Sequence, residues 1–168
     1  TYMDKIAISA TEKNIVDLDN SVTKNINNLA DYKNTTPENL TACILDRPRH
    51  KKRIDELKSL NVNLKLISDG DISGALLVTN EIYNVDIFLG IGGGPEGVLT
   101  ASALDAYGCF FQGKFLFNNN EEKSRAKKMG IEDFDKKYEI NEIVSGDSIF
   151  CATGVTSGDL VKGISLSD

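Results

Sequence analysis

The chain has 168 residues, 40% of them hydrophobic and 26% charged, which suits one soluble α/β domain with a real core and is too short for two full ones. Its net charge of −6 argues against general nucleic-acid affinity while leaving room for a local phosphate-binding patch. No apolar run approaches a membrane span, and Thr1-Tyr2-Met3-Asp4-Lys5 does not open a signal peptide, so no membrane partner is expected. Cys43, Cys109 and Cys151 are odd in number and widely spaced, without a CxxC or paired histidines, which favours a reducing cytoplasm over disulfides or zinc. Cys43 and Cys151 read as small buried hydrophobes.

Met3 to Ser9 reads as a strand. A helix follows, with Val22, Ile26, Leu29 and Ala30 on one face and Asn20 or Ser21 as its cap. Tyr32 to Asn39 is a polar connector, and residues 1–39 are taken as a connector and the remnant of a preceding domain. From Leu40 the pattern becomes regular and defines an α/β domain over 40–168. Its apolar runs are Leu40 to Leu45, Asn63 to Ile67 and Val85 to Leu89. They alternate with helices at about 51–60, 72–83 and 96–106, the pattern of βαβ units and a parallel sheet. Cys109 to Phe111 and Lys114 to Phe117 form one strand or a hairpin, and a charged helix over 121–129 stops at Gly130. Glu139 to Val144 and Ser148 to Ala152 read as two last strands, with a short helix in the tail. Both chain ends look like cuts in a longer polypeptide.

Three successive strands end in loops rich in charge or glycine, whereas the helix-to-strand returns are bland. Parallel strands bring such loops to one edge, where open α/β sheets bind ligands. Asp46-Arg47-Pro48-Arg49-His50 carries cations into a helix N-terminus against the macrodipole, which a bound anion would offset. A solvated basic face balanced by Asp55 and Glu56 is the alternative, and His50 reads equally as structural or as a ligand. Asp69-Gly70-Asp71 offers carboxylates for sugar hydroxyls or a metal, although Asp71 is also a natural helix cap. Gly92 to Gly97 satisfies GxGxxG, so a dinucleotide site has to be weighed, but it follows the third strand of the series and lacks a clear acidic strand end downstream. Glu96, in the first helical turn, is either a dipole-favoured structural carboxylate or a hard-metal ligand.

LDRPRH, LISDGD, GIGGGPEGV and SGDSIFCATGVTSGDLVKG occur in the order found in class II fructose-1,6-bisphosphatases of the GlpX type. YMDKIAI and KKMGIEDFDKKY resemble that family too, so the likeness covers nearly the whole chain. It implies a layered α/β/α sandwich of the metal-dependent sugar and inositol phosphatase superfamily, here incomplete. It also implies hydrolysis of the 1-phosphate of fructose 1,6-bisphosphate in gluconeogenesis, with some members accepting sedoheptulose 1,7-bisphosphate. Carried over by position, Glu96 matches a ligand of catalytic magnesium or manganese. Tyr2, Arg47, Pro48, Arg49, Asp69, Gly70, Asp71 and Gly93 match substrate contacts. The resemblance further implies a homo-oligomer in the complete enzyme. In the family most metal-binding carboxylates, and the hydroxyl residue orienting water, precede the YMDK segment. The chain as given is therefore expected not to turn over, since one carboxylate cannot hold a divalent site. The alternatives are a non-catalytic sugar-phosphate sensor, which needs no metal, and a dinucleotide-binding module resting on GxGxxG alone.

Overall fold

A computed structural model describes residues 1–165. Six strands form one sheet in the order β3-β2-β4-β1-β5-β6. They are β1 (Tyr2–Ile8), β2 (Thr41–Leu45), β3 (Asn63–Ile67), β4 (Ile87–Gly93), β5 (Phe110–Leu116) and β6 (Lys137–Glu139). β3, β2 and β4 run parallel, while β1 is antiparallel to both β4 and β5, and β6 is antiparallel to β5. The sheet is thus mixed rather than parallel throughout. The departure arises from β1, which enters the middle of the sheet from the opposite direction.

Helices cover both faces. Helix α1 (Val22–Tyr32), capped by the Ser21 hydroxyl on Lys24 N–H, and α2 (Lys51–Ser59) bury Ile26, Leu29 and Leu57 against Ile6, Ile8 and Ile44. Helices α3 (Asp71–Leu76) and α4 (Gly94–Ala106) pack Leu76, Ala101 and Leu104 with Met3, Ala7, Phe88 and Phe111 on the other face. Alternation along β1 explains the split, because Ile6 and Ile8 point to one layer and Met3 and Ala7 to the other. Residues 1–39 contribute β1 and α1 to this sheet and core.

Several local expectations change. β4 starts two residues late and continues through Gly90, Gly92 and Gly93, since antiparallel pairing with β1 uses only backbone groups. The helix expected over 72–83 breaks after Leu76 into 3₁₀ turns at Leu77–Thr79 and Glu81–Tyr83, the second capped by the Asn80 side chain. Residues 110–116 form one strand. Charged α5 (Asn120–Lys128) ends before Gly130, whose φ is +89°. Among the described residues near the C-terminus only Lys137–Glu139 is a strand. The next residues turn into helix α6 (Ile140–Ile143), because Glu139 and Glu142 close a reciprocal capping box. Residues 148–152 form no strand, and the tail to residue 165 is irregular without a helix. Cys151 is exposed, correcting its expected burial, while Cys43 and Cys109 are buried. Burial pushes the Cys43 thiol up to about 12, which makes it an inert core side chain.

Candidate functional site

The carboxyl ends of β2, β3 and β4 open onto a cavity of about 970 Å³. Arg47 and Arg49 follow β2, Asp69, Gly70 and Asp71 follow β3, and Gly93 and Glu96 join β4 to α4. All seven line the cavity. Tyr2 does too, because β1 runs antiparallel and its first residue pairs with Gly93 at the last residue of β4. Pro48 does not line the cavity; it begins the 3₁₀ turn Pro48–His50 between the two arginines. The sequence-derived candidates other than Pro48 thus lie on one rim.

The basic loop divides into ion-paired and unpaired cations. Lys51 pairs with Asp55 on the exposed face of α2, at 3.4 Å. Arg53 forms a two-pronged contact with Asp4, at 2.7 and 2.5 Å. Among the described residues neither Arg47 nor Arg49 pairs with a carboxylate. Arg49 instead donates from Nε to the Ile91 carbonyl at 2.7 Å, and its guanidinium sits 5.5 Å from the Tyr2 ring centre. Two exposed guanidiniums at an entrance to α2 that has no acidic residue in its first turn make this wall a place for an anion.

His50 is a structural clasp. It is fully buried, and Nε2 accepts the Ile91 N–H at 2.8 Å, so Nδ1 carries the proton donated to the Leu45 carbonyl at 2.8 Å. Burial chiefly lowers its pKa; the bond to Leu45 opposes that, and Arg49 and Arg53 add to it.

Gly70 lies in the left-handed region at φ +92° and caps α3, so Asp71 is the first helical residue rather than the cap. Asp69 is exposed and its Oδ1 accepts the Gly70 N–H at 2.9 Å. The Asp71 side chain is only 8% exposed and pairs through Oδ2 with Lys5 Nζ at 2.5 Å. Asp71 Oδ1 is buried without a hydrogen-bond partner among the described residues. The loop pattern does not point to Lys5; a lysine between Met3 and Ala7 on the same apolar face of the strand is the signal that could have found it. Nor does that pattern point to the C-terminal wall, with Phe150, Thr156, Asp159 and Leu160. Asp159 is tied to Lys65 of β3 at 3.2 Å.

The glycine run does not leave the backbone bare for a pyrophosphate. The Cβ that Gly92 lacks would stand 1.6 Å from Asp71 Oδ2, that of Gly93 1.8 Å from Glu96 Oε2, and that of Gly97 2.3 Å from Met3 Sδ. The protein's own side chains occupy these spaces, which removes the support for a dinucleotide loop. Glu96 is exposed in the first turn of α4. The described residues contain no group of three or more His, Cys, Asp or Glu side chains placed to hold a metal, so they do not by themselves fit a divalent site. No helix among them is long and apolar enough to cross a membrane.

A family model described as bacterial fructose-1,6-bisphosphatase, glpX-encoded, matches residues 1–168. Three similar curated proteins are each named D-fructose 1,6-bisphosphatase class 2/sedoheptulose 1,7-bisphosphatase. They come from Trichodesmium erythraeum (37% identical), Crocosphaera subtropica (36%) and Microcystis aeruginosa (35%). Each alignment covers 97% of this chain and 51% of the relative, so the chain spans about half the length of the proteins it matches. With every residue inside the family match and relatives above one-third identity, the chain belongs to the bacterial glpX-encoded fructose-1,6-bisphosphatase family.

Proposed function

We propose that this chain forms the sugar-bisphosphate-binding half of a phosphatase that hydrolyses the 1-phosphate of fructose 1,6-bisphosphate to fructose 6-phosphate, a gluconeogenic step. The observation that carries the reading is the convergence of three strand-end loops on one cavity, with two arginines that have no carboxylate partner among the described residues on one wall and carboxylates on another. The relatives' names extend the substrate class to sedoheptulose 1,7-bisphosphate. Membership also supports the layered sandwich of the sugar and inositol phosphatase superfamily as the architecture of the whole enzyme.

In this reading Arg47 and Arg49 hold the phosphate that is not cleaved, as paired forks suit phosphate oxygens. Asp69 and Asp71 accept sugar hydroxyls. Pro48 stiffens the turn between the arginines, and Gly93, whose missing Cβ leaves room for the Glu96 carboxylate, stands with Tyr2 at the substrate edge. Glu96 is the one carboxylate assigned to the magnesium or manganese that the family resemblance implies. The other ligands would have to come from outside these residues.

The test is phosphate release from fructose 1,6-bisphosphate by the full-length polypeptide with manganese, against a chelator control. Metal-dependent release is expected from that polypeptide, and binding without turnover from the 168-residue chain alone. Equal turnover by both would overturn the need for outside ligands, and no release from either would overturn the function.

A further inference from the structure

Lys5 is fully buried in the middle of β1, on the face packed by α3 and α4. It does not line the cavity, yet its partner Asp71 does. Directly opposite it in the sheet stand Gly90 on β4 and Gly113 on β5, so neither cross-strand neighbour has a side chain. Gly92, next along the same face of β4, leaves the space that Asp71 Oδ2 enters. Burying such a pair does not by itself favour folding, because an apolar side chain of similar size serves a core as well or better. What the pair does achieve is orientation. Lys5 takes one carboxylate oxygen, and the other is left with no partner among the described residues. Asp71 also follows the left-handed Gly70, so fixing its side chain fixes the turn that carries Asp69.

We propose that Lys5 is a positioning residue for sugar recognition: its buried ammonium pins Asp71 by Oδ2 so that Oδ1 faces a ligand hydroxyl, the donor that oxygen lacks. This rests on the assignment of Asp71 to sugar hydroxyls made above. Lys5 touches no ligand and acts through Asp71 alone.

The experiment is calorimetric titration of the full-length protein with fructose 6-phosphate and, separately, with inorganic phosphate. Lys5→Met should weaken fructose 6-phosphate binding about tenfold or more while changing inorganic phosphate affinity less than about twofold, because Arg47 and Arg49 are untouched. In an Asp71→Asn background the same Lys5→Met change should shift sugar-phosphate affinity less than about twofold, since there is no longer a carboxylate to orient. Equal losses for both ligands, or an equal Lys5→Met loss in both backgrounds, would overturn the role of Lys5 and leave the Asp71 assignment standing. A parent protein that binds inorganic phosphate but not fructose 6-phosphate would overturn the Asp71 assignment, and this proposal with it. If Lys5→Met does not fold, Lys5→Gln, which removes the charge and keeps a donor, takes its place in both comparisons, with the same results expected and the same results overturning the role.

Discussion

The imidazole Nε2 of His50 accepts the main-chain N–H of Ile91 at 2.8 Å, joining the exit of β2 to the end of β4 beneath the cavity rim. That bond needs a neutral ring, because a protonated imidazole has no acceptor. Burial depresses the folded-state pKa below 6.5, so the unfolded chain takes up a proton that the native protein refuses. The stability this contributes is complete above pH 6.5 and is lost as pH falls toward the depressed native value. Urea denaturation of the parent and of His50→Gln from pH 8 to pH ~5 should show the variant less stable by about 1–3 kcal/mol at the upper end, with the gap narrowing on acidification. A gap that is constant with pH would remove the clasp.

Arg47 and Arg49 should separate affinity from stability. Among the described residues the Arg47 side chain has no ion-pair or hydrogen-bond partner, so Arg47→Ala should leave the thermal midpoint nearly unchanged. In the full-length enzyme it should raise KM for fructose 1,6-bisphosphate by about tenfold to a hundredfold, the worth of one or two bonds to a charged phosphate. Arg49→Ala also loses the bond to Ile91 and the contact with Tyr2, so it should lower both affinity and the midpoint. Unchanged kinetics for Arg47→Ala would end the phosphate assignment for that residue.

Much of this arrangement was legible because it depends on local pattern. The offsets of four and seven residues from Val22 to Ile26 and Leu29 marked α1, and three strand ends dense in charge or glycine marked the rim. What escaped depends on distant partners. Nothing near Met3 to Ile8 says that this strand lies between β4 and β5, or that it runs against the former. Gly90, Gly92 and Gly93 resembled a loop because their place in β4 rests on β1 and on space filled by Phe88, Asp71 and Glu96. Leu77 and Val78 continue a helical apolar pattern, yet tertiary packing bends the chain into 3₁₀ turns there.

Adding one methyl at either of two glycines should be costly for different reasons. Gly97→Ala drives a Cβ against the buried Met3 sulfur, with overpacking worth about 1–3 kcal/mol. Gly92→Ala displaces Asp71 from Lys5, and disturbing a buried pair costs up to about 3–5 kcal/mol when it breaks. Gly158→Ala, where a Cβ meets nothing within 4 Å, is the control and should be nearly neutral in chemical denaturation. Three equal effects would contradict the packing.

Arg53→Lys tests whether the contact with Asp4 relies on shape or on charge alone. The fork uses Nη1 and Nη2 on separate carboxylate oxygens, which an ammonium cannot reproduce. A loss of about 1–2 kcal/mol is expected by urea denaturation, persisting at high salt because both groups are largely shielded from water. A loss that vanishes in salt would assign the contact to long-range charge.

The central position of β1 also sets the order in which this protein can be made. Of the six strands described, β1 is made first and has no neighbour in this sheet until Gly93 and then Leu116 have left the ribosome. Ile6 and Ala7, fully covered in the native state, stay open to other chains during that interval. Folding should therefore be slow for a domain of this size, and its yield should depend on nascent-chain protection more than on native stability.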